Sequence, residues 1–145
     1  MEHIIIIIFL LIIVVRVQIN GSVFTMNAGS KITGNYNISS GGGVNVRDGA
    51  FTMNGGEISG NTANVGGGVY VLNSTDAKFF MPGGTITGNT ATGTGYGNAL
   101  YKGAGAKAYY GVATDSPKAA DQIVGADAST GYTDDPLTGR AAATE

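Results

Sequence analysis

The chain has 145 residues, enough for a single domain, and its formal charge of -2, with Lys and Arg scattered, leaves no electrostatic footprint for nucleic acid. It contains no Cys, which excludes disulfide frameworks, thiol catalysis and Cys-type zinc sites together. Gly supplies 25 residues, well above the usual share of about 7%, yet no triplet period runs through them and 43% of the chain is hydrophobic, so neither a collagen-like rod nor a disordered linker fits.

The first segment, IIIIIFLLIIVV at 4–15, is too short to span a bilayer, which takes about 20 apolar residues. Its length suits the apolar middle of a secretory signal, although Glu2 and His3 stand where Lys or Arg is usual and Arg16 follows the run instead of preceding it. Its Ile and Val content suits a buried β-rung or N-terminal cap equally. A wrongly assigned start is the third reading. The segment 1–16 is therefore set apart as signal-like or capping.

From residue 17 the sequence repeats. VQINGSVFTMNAGSKITGNYN at 17–37, VNVRDGAFTMNGGEISGNTAN at 44–64 and VYVLNSTDAKFFMPGGTITGNTA at 69–91 align with a period near 27, and small insertions adjust the spacing. Such a period signals a solenoid. Within each copy apolar residues alternate with polar ones: Val44 and Val46 flank Asn45, Phe51 and Met53 flank Thr52, and Ile58 lies between Glu57 and Ser59. Period two means short strands. Three strands per copy are expected, with corners at RDG, NGG and GNT, where Gly and Asn supply the tight backbone angles. Stacking the copies predicts inward columns of Val17, Val44 and Val69; of Phe24, Phe51 and Phe79; of Met26, Met53 and Met81; and of Ile32, Ile58 and Ile86. Coils rising by about 4.8 Å make a stub roughly 15–20 Å tall, whose two open ends need caps. A decayed fourth copy, GYGNALYKGAGAKAYYG at 95–111, stands at the upper end. The repeat domain is thus 17–111. Beyond it, 112–145 is rich in Ala, Thr and Asp and is expected to be a loosely ordered extension, with AADQIVGADA at 119–128 able to form a short helix.

These repeats resemble the β-helix repeats of bacterial surface proteins of the polymorphic outer membrane protein and autotransporter-passenger type. That signature pairs Gly-Gly-Ala-Ile with Phe-x-x-Asn. FTMN matches it at 24–27 and 51–54, the third copy reads FFMP with Pro82 in place of Asn, and GGGV at 41–44 and 66–69 is a near variant that the first copy lacks. The resemblance covers about 17–110. It implies an all-β, right-handed parallel β-helix of about three to four coils. It also implies a secreted or cell-surface bacterial protein used in adhesion, a fragment or short relative that lacks the translocator barrel. A membrane would then matter only through export or a missing anchor, and end-to-end self-association of coils is available.

Candidate sites follow from the columns. Asn35, Asn61 and Asn89 each follow Gly; they are read as a structural ladder of amides bonding up the coil, against the alternative of glycan recognition. Outward positions are the place for binding: Lys31, Glu57 and Thr85 on one face, and Gln18, Asn45 and Tyr70 on another, able to contact glycans or surface proteins. The plain alternative is a solvated sheet face.

A polysaccharide lyase on the same architecture needs acidic groups for calcium and a basic residue; Asp48, Glu57, Asp76, Arg47 and Lys78 are the repeat-region candidates, with Asp48 and Asp76 assigned to turns. His3 is the sole histidine, so a Ser-His-Asp or His-metal site is unavailable. The Gly-rich stretches lack a phosphate-loop ending, and no nonapeptide calcium pattern runs through them. Ranks of Thr for ice binding are broken, because TIT at 85–87 corresponds to KIT and EIS. No catalytic, metal or cofactor residue is assigned and no cofactor is expected. The sequence favours a non-enzymatic adhesin-type binding or display module, with a lyase-like fragment or a pure spacer as alternatives.

Overall fold

The computed structural model describes residues 7–8, 12–13, 16–94, 96–111, 123, 132–133 and 137–139. Export through the first residues and the short helix expected at 119–128 lie outside them, Ile123 excepted. Among the described residues there are strands and turns and no helix.

Two short strands, β1 (Ile7–Ile8) and β2 (Ile12–Ile13), precede the first full coil of β3 (Val17–Met26), β4 (Lys31–Thr33) and β5 (Tyr36–Ser40). The second coil comprises β6 (Val44–Met53), β7 (Glu57–Ser59) and β8 (Thr62–Val65), and the third β9 (Val69–Val71), β10 (Ala77–Met81), β11 (Thr85–Thr87) and β12 (Thr90–Ala91). A partial coil follows, β13 (Leu100–Lys102) and β14 (Lys107–Tyr110), and then β15 (Tyr132–Thr133) and β16 (Leu137–Thr138). Each strand pairs in parallel with its counterpart one repeat away: β3 with β6 and β6 with both β9 and β10, β4 with β7 and β7 with β11, β5 with β8 and β8 with β12. The protein is a parallel β-solenoid of about three turns, built from three sheets that run along its length.

Register brings like residues together. Val17 pairs with Val44 and Val44 with Val69; Phe24 with Phe51 and Phe51 with Phe79; Met26 with Met53; Ile32 with Ile58 and Ile58 with Ile86. Val44, Phe51, Met53, Ile58, Val69, Phe79, Met81 and Ile86 are all fully buried. The rings of Phe24, Phe51 and Phe79 climb the interior with centroids 5.5 and 5.2 Å apart, close enough for each ring to pack on the next. Burial of each such side chain is worth about 1.5–3 kcal/mol, and neighbouring coils share the benefit.

Glycine at the corners serves two different needs. Gly34, Gly60 and Gly88 occupy equivalent positions with φ between 64 and 71°, the left-handed region, where a Cβ would meet nothing closer than an ordinary contact. Gly42 and Gly67 are required for proximity instead: a Cβ on Gly42 would meet the carbonyl oxygen of Gly67, and one on Gly67 would lie 2.5 Å from the Thr90 carbonyl carbon. The GGG runs let successive backbones touch there.

The structure corrects two expectations. RDG is not a corner, because β6 runs unbroken through Arg47, Asp48 and Gly49. The register shifts instead: Ile19 pairs with Val46 but Asn20 with Asp48, which leaves Arg47 as the extra residue of a β-bulge. Strict alternation would turn Asp48 inward, and the bulge lets Arg47 and Asp48 both face solvent. Asp48 therefore lies in a strand, not a turn, while Asp76 does precede β10 in a turn. Of the extension, residues 123, 132–133 and 137–139 are described. Leu137 and Thr138 pair antiparallel with Ile86 and Thr85, Thr133 and Tyr132 do so with Leu100 and Tyr101, and the Ile123 amide donates to the Ala108 carbonyl at 2.9 Å. Leu137 and Ile123 are buried. A parallel stack ends in a row of unpaired amides and carbonyls, and these pieces of the extension cover it. At the other end, Ile7–Ile8 pairs in parallel with Thr25–Met26, and Ile12–Ile13 with Lys31–Ile32.

Candidate functional site

The Asn column forms a hydrogen-bonded ladder. Asn35 Nδ2 donates to Asn61 Oδ1 at 2.9 Å and Asn61 Nδ2 to Asn89 Oδ1 at 3.0 Å, while the backbone amides of Asn35 and Asn61 donate to the same two oxygens at 3.0 Å. Asn61 Nδ2 also reaches the Ile32 carbonyl and Asn89 Nδ2 the Ile58 carbonyl, each at 2.9 Å. Asn61 and Asn89 are buried, and these amides are committed to the corner that they brace.

Lys31, Glu57 and Thr85 line up in register along the outer face of β4, β7 and β11. Lys31 Nζ and a Glu57 carboxylate oxygen are 3.5 Å apart, with side-chain exposures of 50% and 39%. A hydrogen bond from Ser59 holds the Glu57 carboxyl below its ordinary range, against burial that raises it, and Lys31 adds to the lowering. With Gly29, Ser30, Gly56 and Thr87, these residues line a broad depression of about 500 Å³. Two of its charges already satisfy each other, so the face as a whole is close to neutral.

The second rank differs more from expectation. Gln18, Asn45, Tyr70 and Tyr101 are in register on successive rungs. Asn45 was expected to face outward with Tyr70, but it is only 8% exposed. Its Nδ2 donates to the Ser40 carbonyl at 3.0 Å, drawing the amide under the β5 end. The same carbonyl takes a hydrogen bond from Asn37 Nδ2 at 2.7 Å and one from Arg16 Nη2 at 3.3 Å. Since Nδ2 must face that acceptor, the orientation of the amide is fixed, and Oδ1 points away from Ser40. This Oδ1 is buried and has no hydrogen-bond partner among the described residues.

Above Asn45, Tyr70 stacks on Tyr101 with rings 5.7 Å apart and 2° from parallel, and Tyr96 packs edge-on against Tyr101 at 5.8 Å. Burial, chiefly, pushes the Tyr70 phenol up; Tyr101 adds to the shift and Arg47 opposes it. Ser39, Ser40, Asn45, Arg47, Tyr70 and Leu72 enclose a small polar cleft of about 170 Å³. Arg47, weighed in sequence only as a lyase base, is set beside it by the bulge. Ser39, Ser40 and Leu72 carry no sequence signal for the site, whereas Tyr101 had one: it holds the Tyr70 position in the fourth copy.

Of the lyase candidates, Asp48 and Asp76 meet through Ser74, whose Oγ also accepts from the Asp76 backbone amide at 3.2 Å, Arg47 and Lys78 lie on the strands beside them, and Glu57 stands apart on another sheet. Asp48 Oδ1 accepts from Ser74 Oγ at 3.2 Å across one rung, and no group of three or more His, Asp or Glu able to hold a metal occurs among the described residues. No protein-family model, curated protein or solved structure matches this chain.

Proposed function

We propose that the chain is a non-enzymatic β-solenoid scaffold of adhesin type, a secreted or cell-surface bacterial module that displays binding residues for glycans or surface proteins. One observation carries this reading. Interior columns repeat the same residue from rung to rung, Phe on Phe and Ile on Ile, while outer positions in the same registers vary, as in Lys31, Glu57 and Thr85 or Gln18, Asn45, Tyr70 and Tyr101. Packing dictates the first pattern. It leaves the second free for recognition, on a rigid frame suited to presenting side chains at fixed spacing.

The test is a binding screen of the folded chain against mucins, extracellular matrix proteins and immobilised glycans. Saturable binding to at least one class is the expected result. A correctly folded sample that binds none is a spacer, and the proposal then fails. Incubation with polyuronates addresses the lyase alternative: accumulation of unsaturated product, lost on Arg47→Gln or Lys78→Gln, would replace the scaffold reading with an enzymatic one.

A further inference from the structure

We infer that the cleft between Asn45, Arg47 and Tyr70 is a binding site for a single carboxylate-bearing sugar residue. The inference rests on the scaffold reading above and assigns it a site and a ligand chemistry.

The carbonyl oxygen of the Asn45 side chain comes first. A buried polar atom without a partner is rare and costs about 1–3 kcal/mol; this one is sealed beneath the surface of Asn45, a residue that lines the cleft with its amide locked by the Ser40 carbonyl. It accepts only. A group that opens the cleft floor and completes it must donate a hydrogen bond, as a sugar hydroxyl does.

Tyr70 supplies the second element. Tyr101 covers one face of its ring, and the register places Asn45 on the rung at the other side. Tyr70 lines the cleft, whose exposed lining is mainly polar. An aromatic face beside hydrogen-bonding groups suits a sugar ring, whose C–H face is apolar and whose edge is hydroxylated. Tyr101 and Tyr96 hold the platform rigid from behind.

Arg47 completes the set. It is the only charged residue among those lining the cleft, it is exposed, and none of its contacts among the described residues is an ion pair. Its placement follows from the bulge that removes it from the ladder's register, the device by which strands re-aim a side chain. A guanidinium in that position favours a carboxylate, which it can bind through two parallel hydrogen bonds. The hydroxyls of Ser39 and Ser40 can meet further ring hydroxyls. The volume of about 170 Å³ is well below the roughly 300–1,000 Å³ of pockets for drug-sized ligands, so it fits one sugar ring, free or as part of a longer glycan.

The experiment is a titration of the isotopically labelled full chain with D-glucuronic acid, with D-glucose as the neutral control, followed by NMR. Chemical-shift changes should centre on Asn45, Arg47 and Tyr70, weaken with added salt, and be much smaller with glucose. Arg47→Gln, at an exposed position, should keep the fold and weaken glucuronate roughly tenfold or more; Tyr70→Leu should weaken both sugars. Shifts that map elsewhere, equal responses to the two sugars, or no response at all overturn the site. If immobilised glycans or mucins still bind and Arg47→Gln and Tyr70→Leu leave that binding unchanged, the site fails while the scaffold reading stands. If nothing binds in either experiment, both fail.

Discussion

A single oxygen, Asn89 Oδ1, receives both the side-chain amide and the backbone amide of Asn61, each at 3.0 Å. Asn61 in turn offers its own Oδ1 to both amides of Asn35. The corner is thus braced by a two-way relay, and truncation at its middle strands partners on both sides. Asn61→Ala leaves the Asn35 amides without this acceptor and the Ile32 carbonyl without its side-chain donor. A loss of about 2–3 kcal/mol is expected, read as a fall in the urea midpoint by circular dichroism. Asn61→Asp keeps the oxygen facing Asn35 but sets a carboxylate oxygen against Asn89 Oδ1, so it should be at least as damaging. An Asn61→Ala protein with an unchanged midpoint would show that the ladder is idle.

Ile58 packs between Ile32 and Ile86 in direct register and is fully buried. Ile58→Ala should cost about 2–5 kcal/mol. Ile58→Asp places an unpaired carboxylate between two apolar rungs, where no partner can compensate it, and the whole solenoid should lose cooperative folding because each coil is stabilised by its neighbours. Intrinsic fluorescence and circular dichroism should then report one coincident transition in the parent and none in the Asp variant. Two separate transitions in the parent would mean that the coils fold independently.

Gly60 and Gly67 test the two roles of glycine against each other. At Gly60 the backbone is left-handed and a Cβ would make only ordinary contacts, the nearest with Thr33 Oγ1 at 3.5 Å, so Gly60→Ala should cost about 1–2 kcal/mol, and Gly60→Asn, which tolerates that conformation, less. At Gly67 a Cβ would collide with the backbone of Thr90 on the next coil. Gly67→Ala must push two coils apart, and its loss should exceed that of Gly60→Ala several-fold. Melting temperatures of the three variants decide the order; equal losses would remove the distinction.

The interior was legible in the sequence because packing repeats it literally. FTMN recurs at 24–27 and 51–54, and Phe24 meets Phe51. The alternation around Ile58 also gave the correct facing, since one face of that strand is buried. The candidate cleft was hidden for local reasons. Alternation turns Asn45 outward, but the Ser40 carbonyl, five residues earlier and on the coil below, pulls its amide in. RDG has turn composition, yet pairing with Val17–Met26 on the coil below keeps the strand going, and a bulge absorbs the misfit. The C-terminal pairing of Leu137 with Ile86 was not legible either, because it is antiparallel and belongs to no repeat.

Glu57 gives the structure a pH signature whose sign is set by its neighbours. The hydrogen bond from Ser59, the largest influence, holds its carboxyl below the ordinary value of 4.5, and Lys31 acts in the same direction against the cost of burial. A depressed folded-state pKa means that the folded protein binds the proton less readily than the unfolded chain. The stabilisation is therefore fully present above the ordinary carboxylate range and disappears as pH falls from 4.5 through the folded-state value. Both partners are substantially solvated, so the gain stays within about 1 kcal/mol. The difference in melting temperature between the parent and Glu57→Gln should accordingly be small at neutral pH and vanish in acid. NMR titration separates the two causes: Ser59→Ala should raise the Glu57 pKa more than Lys31→Met does, and high salt should mimic the Lys31 substitution but not the Ser59 one, since salt screens a solvated charge pair far more than a direct hydrogen bond. If Lys31→Met produced the larger rise, the exposed ion pair and not the hydroxyl would govern this face.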